Sequence, residues 1–180
     1  MSHGLFEDDF TMHVQVRPGR MKDLARIVEI YNHYVKNSPS TFEIEPVKTQ
    51  DRVSWLEEHA GRGSHRLYVA TVSDDRVIGW ATTSLFRPRA AYSTTVEASV
   101  YCDPGFLGLG IGTALYNELF RSIHGADIER IVAGITLPNP QSQSLHRHFH
   151  FIHVGTFTRV GRKFGQYWDV AWFERPLNIL

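Results

Sequence analysis

The stretch "YCDPGFLGLGIGTALYNELF", residues 101–120, limits the fold more than any other part of the chain. It runs from a β-like segment through a glycine-spaced loop straight into an amphipathic pattern. Gly108, Gly110 and Gly112 leave the backbone bare where a helix begins, and Ile111, Leu115, Leu119 and Ile123 recur at helical spacing. The first turn of a helix presents N–H groups with no intrahelical acceptor, at the positive end of the helix dipole. Such a unit is either an anion cradle suited to a pyrophosphate or a tight turn that glycine permits. A P-loop needs Gly-Lys-Ser/Thr after the glycines, and Gly110-Ile111-Gly112 supplies no lysine. A dinucleotide fingerprint would open the first βαβ unit, whereas this loop lies past the middle of the chain.

Periodicity on either side fills in the architecture. "HVQVR" (13–17) reads as a strand, and Leu24, Ile27, Val28, Tyr31 and Val35 predict a helix over about 21–36. "NSPSTFEIEPV" is a loop, and Thr49 is the expected N-cap of a second helix carrying Val53, Leu56 and Ala60, ended by Gly61 and Gly63. "RLYVATV" and "RVIGWATTSLF" flank a hairpin turn "SDD", and "TTVEASVYCD" is a further strand. Gly125 closes the glycine-loop helix, "RIVAGIT" is a strand and "PQSQSLHRHF" a short helix. "FIHVGTFTRV" and "YWDVAWFERP" are two final strands closing around "GRKFGQ". The predicted order is β-α-α-β-β-β-α-β-α-β-β, an α/β mixed sheet with helices on both faces. Residues 1–12 read as a mobile N-terminal tail and 13–180 as a single domain.

Nineteen basic and nineteen acidic residues give a net charge of zero, so no broad positive field exists to hold nucleic acid or an anionic membrane. Cys102 is the only cysteine, which excludes an intrachain disulfide and fits a reducing compartment. The start "MSHGLFEDDFT" has neither a basic nor an apolar signal region, and no apolar run reaches the roughly 20 residues of a membrane span. A cytoplasmic location is expected.

The element order, with "IYNHYV", "STFEIEP", "TVEASVY", "GLGIGTALY", "LPNPQSQSLH" and "VGRKFGQYWDV" in sequence, resembles the GCN5-related N-acetyltransferases (GNAT). The likeness is greatest to the phosphinothricin and methionine-sulfoximine acetyltransferase branch, and it runs from about Val14 to Pro176. It implies the GNAT fold, a mostly antiparallel twisted sheet flanked by helices, and acetyl-CoA as co-substrate with no metal. The loop Gly108, Leu109, Gly110, Ile111, Gly112, Thr113 would cradle the pyrophosphate; Leu107 stands where the family usually has Gln or Arg, and Gly108 where many members carry a basic residue. By the same resemblance the pantetheine arm pairs with the backbone of Val100, Tyr101 and Cys102 like an added strand. An N–H there would face the charge that develops on the thioester oxygen. Asn139 and Ser142 match positions that contact the pantetheine or the phosphates, and Asn139 also suits a helix cap.

An amine attacks a thioester only when neutral, so a proton must be removed. The family motif places Glu97 near the amine as general base; by itself it reads equally as a strand carboxylate or a structural ion pair. The resemblance puts His146 where many GNAT enzymes have Tyr, near the sulfur, able to protonate the departing thiolate or to help accept the amine proton. Phe42, Arg87, Arg89 and Tyr92 fall at or beside substrate-binding positions, with a solvated loop as the alternative for the arginines. The implied acceptor is a small amino-acid-like amine such as phosphinothricin, methionine sulfoximine or methionine sulfone, acetylated by direct transfer. A homodimer is expected, with "VGRKFG" either enclosing the partner's site or carrying Arg162 and Lys163 as solvated hairpin charges.

His146, His148, His150 and His153 crowd one seam of the chain. Only His146 and His150 share a helix face at i, i+4, and a zinc site wants further ligands and orienting partners. The three other histidines read as solvent-facing or packing residues, with His150 at a turn that often needs positive φ. The readings to be set against an amino-acid acetyltransferase are a GNAT enzyme for a protein N-terminus, polyamine or aminoglycoside, a non-catalytic acyl-CoA-binding domain, and a histidine-bound metal protein.

Overall fold

The computed structural model describes residues 13–61 and 63–178. The expected N-terminal tail lies outside the described residues. Among the described residues seven strands form one sheet in the order β1-β2-β3-β4-β5-β7-β6. They are β1 (Gln15–Pro18), β2 (Arg66–Thr71), β3 (Val77–Leu85), β4 (Thr95–Cys102), β5 (Arg130–Leu137), β6 (Ile152–Lys163) and β7 (Gln166–Pro176). Every neighbouring pair is antiparallel except β4 and β5. The helices are α1 (Leu24–Asn37), α2 (Val53–His59), α3 (Ile111–Ser122) and α4 (Pro140–His148). The element order is the one that periodicity predicts.

Alternation along the strands divides the core in two. On one face Leu115, Tyr116 and Leu119 of α3 pack with Ile78, Val96, Ala98 and Ile131; on the other, Leu24, Ile27 and Val28 of α1 and Leu56 of α2 pack with Leu67, Val69 and Trp80. Leu115 is fully buried, so its truncation to Ala would cost about 2–5 kcal/mol. Among the described residues no helix is long and apolar enough to cross a membrane.

Three local expectations are corrected. Thr49 does not cap α2: a 3-10 turn, Thr49–Arg52, precedes the helix, and the residue before it, Lys48, makes no side-chain cap. The last hairpin is tighter than a six-residue "GRKFGQ" connection, because β6 runs to Lys163 and β7 resumes at Gln166. The turn is Phe164 and Gly165, with φ of 54° and 75°. A two-residue loop with both φ positive matches the right-handed twist of the paired strands. Lys163 is accordingly a strand residue and buried, not a solvated hairpin charge, whereas Arg162 is exposed.

Candidate active site

β4 and β5 pair only over Thr95–Glu97 and Arg130–Val132, although β4 continues to Cys102 and β5 to Leu137. Beyond Glu97 the two strands diverge, while β4 stays paired to β3 as far as Cys102 and β5 to β7 as far as Leu137. The Ala98–Cys102 edge of β4 therefore faces a gap instead of a neighbouring strand, and its backbone groups on that side need another partner. A cleft of about 700 Å³ fills the gap, lined by Ala98–Cys102 on one wall and by Gly134, Ile135 and Thr136 of β5 on the other. That volume lies within the range of small-molecule sites.

At the cleft's upper end stands the glycine loop. Gly108 and Gly110 adopt φ of 77° and 74°, conformations that an L side chain strains to reach, and a Cβ on either would meet nothing within 4 Å. Gly110 is the N-cap of α3, and the first intrahelical bond is Ala114 N–H to the Gly110 carbonyl. The amides of Ile111, Gly112 and Thr113 thus begin the helix without an intrahelical acceptor. Gly112 has a second reason to be glycine: a Cβ would come within 3.0 Å of Leu145, so α3 and α4 touch closely here. The bare, N–H-rich backbone fits a diphosphate, and the open β4 edge fits a ligand with amides in extended array. Leu107 and Leu109 are exposed apolar side chains, and Leu107 lines the cleft. Ile111 is buried in the core and Thr113 half-buried.

The opposite rim comes from α4 and the loop after α1. Asn139 Oδ1 accepts the Ser142 N–H at 3.0 Å, capping α4, and its Nδ2 donates to Ser40 Oγ at 3.5 Å. Both Asn139 and Ser142 line the cleft. His146 is buried beside them, with Nδ1 2.7 Å from the Ser142 carbonyl and Nε2 3.1 Å from the Tyr116 hydroxyl. A carbonyl only accepts, so Nδ1 carries the proton and Nε2 accepts from Tyr116. Burial lowers the His146 pKa, which keeps the ring neutral. Tyr116 also lines the cleft, and burial raises its pKa. His148, His150 and His153 are exposed, and His150 takes φ of 62° at the α4–β6 turn, so a bulky residue does occupy a positive-φ position.

Glu97 sits at the fork itself, paired to Ser84 on β3 and to Val132 on β5. Val96 and Ala98 face α3, so alternation turns Glu97, Ser99 and Tyr101 to the face covered by α1 and α2. Burial raises the Glu97 pKa above the usual carboxylate value, and the positive charge of Arg87 partly offsets this. Burial also pushes the Cys102 thiol up to about 11, leaving it a poor nucleophile at neutral pH. Arg87, Arg89 and Tyr92 are exposed on the β3–β4 connection, with Arg87 stacked 4.9 Å over Phe86. Phe42, 38% exposed, fills the space above Gly161, where a Cβ would lie 2.1 Å from the ring.

A profile of the acetyltransferase (GNAT) family matches residues 27–151. The chain belongs to the GNAT acetyltransferase family. It is 49% identical over 168 residues to phosphinothricin N-acetyltransferase of Streptomyces coelicolor, covering 93% of this chain and 98% of that protein. It is 30% identical over 167 residues to L-methionine sulfoximine/L-methionine sulfone acetyltransferase of Pseudomonas paraeruginosa, covering 93% and 96%. The crystal structure of a GNAT phosphinothricin acetyltransferase from Sinorhizobium meliloti with acetyl-CoA shares its fold with a TM-score of 0.86 at 34% identity, over 93% of this chain and 90% of that one. The protein is an acetyltransferase of the phosphinothricin and amino-acid N-acetyltransferase type, and the GNAT fold implies acetyl-CoA as acyl donor.

Sequence reasoning missed Tyr116, which reads in sequence as one more apolar position of α3. It also missed Arg52, Trp55 and Trp80, which come from separate elements and meet Tyr31 and Tyr101 around a small chamber beneath α1 and α2. Tyr31 had a visible signal, the aromatic "IYNHYV" face of α1, but its period is equally that of a core helix.

Proposed function

We propose that this enzyme acetylates the α-amine of a small amino-acid-like acceptor, of the phosphinothricin, methionine sulfoximine or methionine sulfone kind, by direct transfer from acetyl-CoA. The observation that carries the reading is the β4–β5 fork: the divergence opens the β4 edge beside the glycine-bounded N-terminus of α3, and Glu97 is the last β4 residue paired across it. Bound acetyl-CoA supplies the activated acyl group. The chain's own residues do the rest. Amides of the Val100, Tyr101 and Cys102 edge hold the extended arm and stabilise charge on the acyl oxygen, while the loop of Gly108 to Thr113 holds the phosphates. Asn139 and Ser142 fix the facing wall.

Glu97 Oε takes the proton of the acceptor ammonium, directly or through one water, and its raised pKa makes it a stronger base than a free carboxylate. His146 stays a neutral imidazole and acts by position, its Nε2 accepting from Tyr116 and orienting that hydroxyl in the cleft, while the departing thiolate takes the proton that the amine nitrogen sheds after its attack on the acyl carbon. The pKa of Cys102 favours direct transfer over an acetyl-enzyme. Arg87 and Arg89, with Tyr92, hold the acceptor's carboxylate or phosphinate, and Phe42 offers its methylenes an apolar wall.

The enzyme works as a homodimer in this reading, built on edge strand β6, along which Ile152, Val154, Phe157 and Val160 are each exposed. Sedimentation of Phe157→Glu against wild type tests that contact: an unchanged dimer places it elsewhere. The lone thiol suits a cytoplasmic setting, and zero net charge gives no support to a nucleic-acid or membrane partner. The deciding experiment is thiol release from acetyl-CoA with phosphinothricin, methionine sulfoximine, methionine sulfone and the ordinary amino acids. Turnover confined to polyamines, aminoglycosides or protein N-termini would overturn the assignment.

A further inference from the structure

The Glu97 carboxylate makes no hydrogen bond among the described residues; burial and the charge of Arg87 are what act on it. Directly opposite it on β3 stands Ser84. Opposed residues of an antiparallel pair share a face, with Cβ atoms about 4.5–5.5 Å apart. A serine hydroxyl at that range could donate to the carboxylate, yet this one is engaged elsewhere. Ser84 Oγ lies 2.9 Å from Nε2 of His59, the last residue of α2, and makes no other hydrogen bond among the described residues.

The direction of that bond is fixed from the other side of the ring. His59 is 5% exposed, and its Nδ1 lies 2.6 Å from the Trp55 carbonyl. A carbonyl only accepts, so Nδ1 carries the ring proton. Burial lowers the His59 pKa, so the imidazole is neutral and Nε2 keeps its lone pair. The Ser84 hydroxyl is therefore the donor, and its single proton points at Nε2. What Ser84 turns toward Glu97 is oxygen lone pairs. Set against a carboxylate, they repel its ionised form and can accept from its protonated form.

We propose that His59 is a positioning residue for the base: by holding the Ser84 proton it withholds the hydroxyl opposite Glu97, and so makes that carboxylate a better proton acceptor for the attacking amine. The inference rests on Glu97 being the base, as proposed above, and adds what sets its strength. The other charged and titratable groups about Glu97 are Arg87 on the β3–β4 connection, Tyr101 on β4 and Tyr116 on α3, with Glu174 of β7 beyond Val132. Tyr31 of α1 and Arg52 line the chamber that Ser84 borders. His59 itself faces Glu58 and, with 5.8 Å between ring centres, His65. All of these stay in place in the variants below, so a difference between variants reports the Ser84 proton.

The test follows the Glu97 carboxyl carbon by NMR titration, beside kcat/KM against pH, in wild type, His59→Phe, Ser84→Ala and the double variant. His59→Phe keeps a ring and removes the acceptor, which frees the Ser84 hydroxyl to turn to the carboxylate. A hydrogen bond to the charged form favours that form, so the Glu97 midpoint and the acid limb of the profile should both fall by about one pH unit. In the Ser84→Ala background the same replacement should move neither. A midpoint unmoved in His59→Phe, or moved equally in both backgrounds, overturns the inference. Should the wild-type acid limb fail to follow the Glu97 midpoint, Glu97 is not the base and that reading falls, while the midpoints still decide whether His59 governs the carboxylate. If His59→Phe does not fold, the ring-nitrogen shifts of wild-type His59 decide: an unprotonated Nε2 supports the argument, and a protonated one overturns it.

Discussion

Replacing Lys163 by Met keeps the length of the side chain and deletes its ammonium. Nζ lies 2.8 Å from the Ser38 carbonyl, 2.7 Å from that of Thr41 and 3.4 Å from that of Tyr34. The Tyr34 carbonyl already accepts the Ser38 N–H at 3.0 Å, so two carbonyls, Ser38 and Thr41, lose a donor outright. A positive charge here also meets the negative end of α1, whose last residue is Asn37. Hydrogen bonds to a charged group contribute about 1.5–3 kcal/mol each, and relief of the buried ammonium's desolvation returns part of that. A net loss of about 2–4 kcal/mol follows, which for a protein of this size lowers Tm by roughly 5–15 °C. The consequence extends to function because Ser38, Pro39 and Ser40 line the cleft, and Lys163, with the Phe42 ring over Gly161, ties that loop to the β6–β7 hairpin. The KM for acetyl-CoA should rise several-fold, with kcat less affected. Circular-dichroism melts and initial rates of thiol release measure both. A Tm within about 2 °C of wild type, with an unaltered KM, would refute the argument that this ammonium holds the loop.

Glu97→Gln should lower kcat/KM at pH 7 by about 10²–10⁴ while leaving the Kd for acetyl-CoA unchanged; near-wild-type turnover would remove it as base. Because the charge of Arg87 holds the Glu97 pKa down against burial, Arg87→Gln should move the acid limb of the kcat/KM profile to higher pH; a shift the other way would show the cause misassigned. His59 and His146 both have pKa values lowered by burial, so the unfolded chain binds protons that the native imidazoles refuse. Their contribution is complete above about pH 6.5 and declines as pH falls below it, so urea midpoints should drop between pH 7.5 and 5.5. The drop should be shallower in His59→Gln, and equal slopes would argue against this origin.

Features set by near neighbours in the chain were legible without coordinates. The 3.6-residue stripe Ile111, Leu115, Leu119, Ile123 and the alternation of "TVEASVYC" are local consequences of backbone geometry, and they gave α3 and β4 correctly. The positive φ of Gly108, Gly110 and Gly125 belongs to the same class, since a strand-to-helix turn and a helix end each demand a conformation that glycine supplies cheaply. The anion-cradle reading of the glycine loop needs little more than these. Thr49 failed as a cap because Ser and Thr are only biased toward such positions, and a 3-10 turn took up the chain there instead.

Tertiary structure decided whatever depends on how far two strands stay together. No residue in β4 or β5 announces that their pairing stops at Glu97, yet that divergence opens the cleft. The fate of Lys163 followed from a hairpin register far from its partners in sequence, with the ammonium meeting carbonyls more than a hundred residues away. The aromatic chamber is likewise assembled from α1, the turn before α2, β3 and β4, so its chemistry is invisible in any single segment. Local sequence fixes conformation through sterics and hydrogen bonds of near neighbours, whereas a cavity exists only where distant surfaces fail to close on each other.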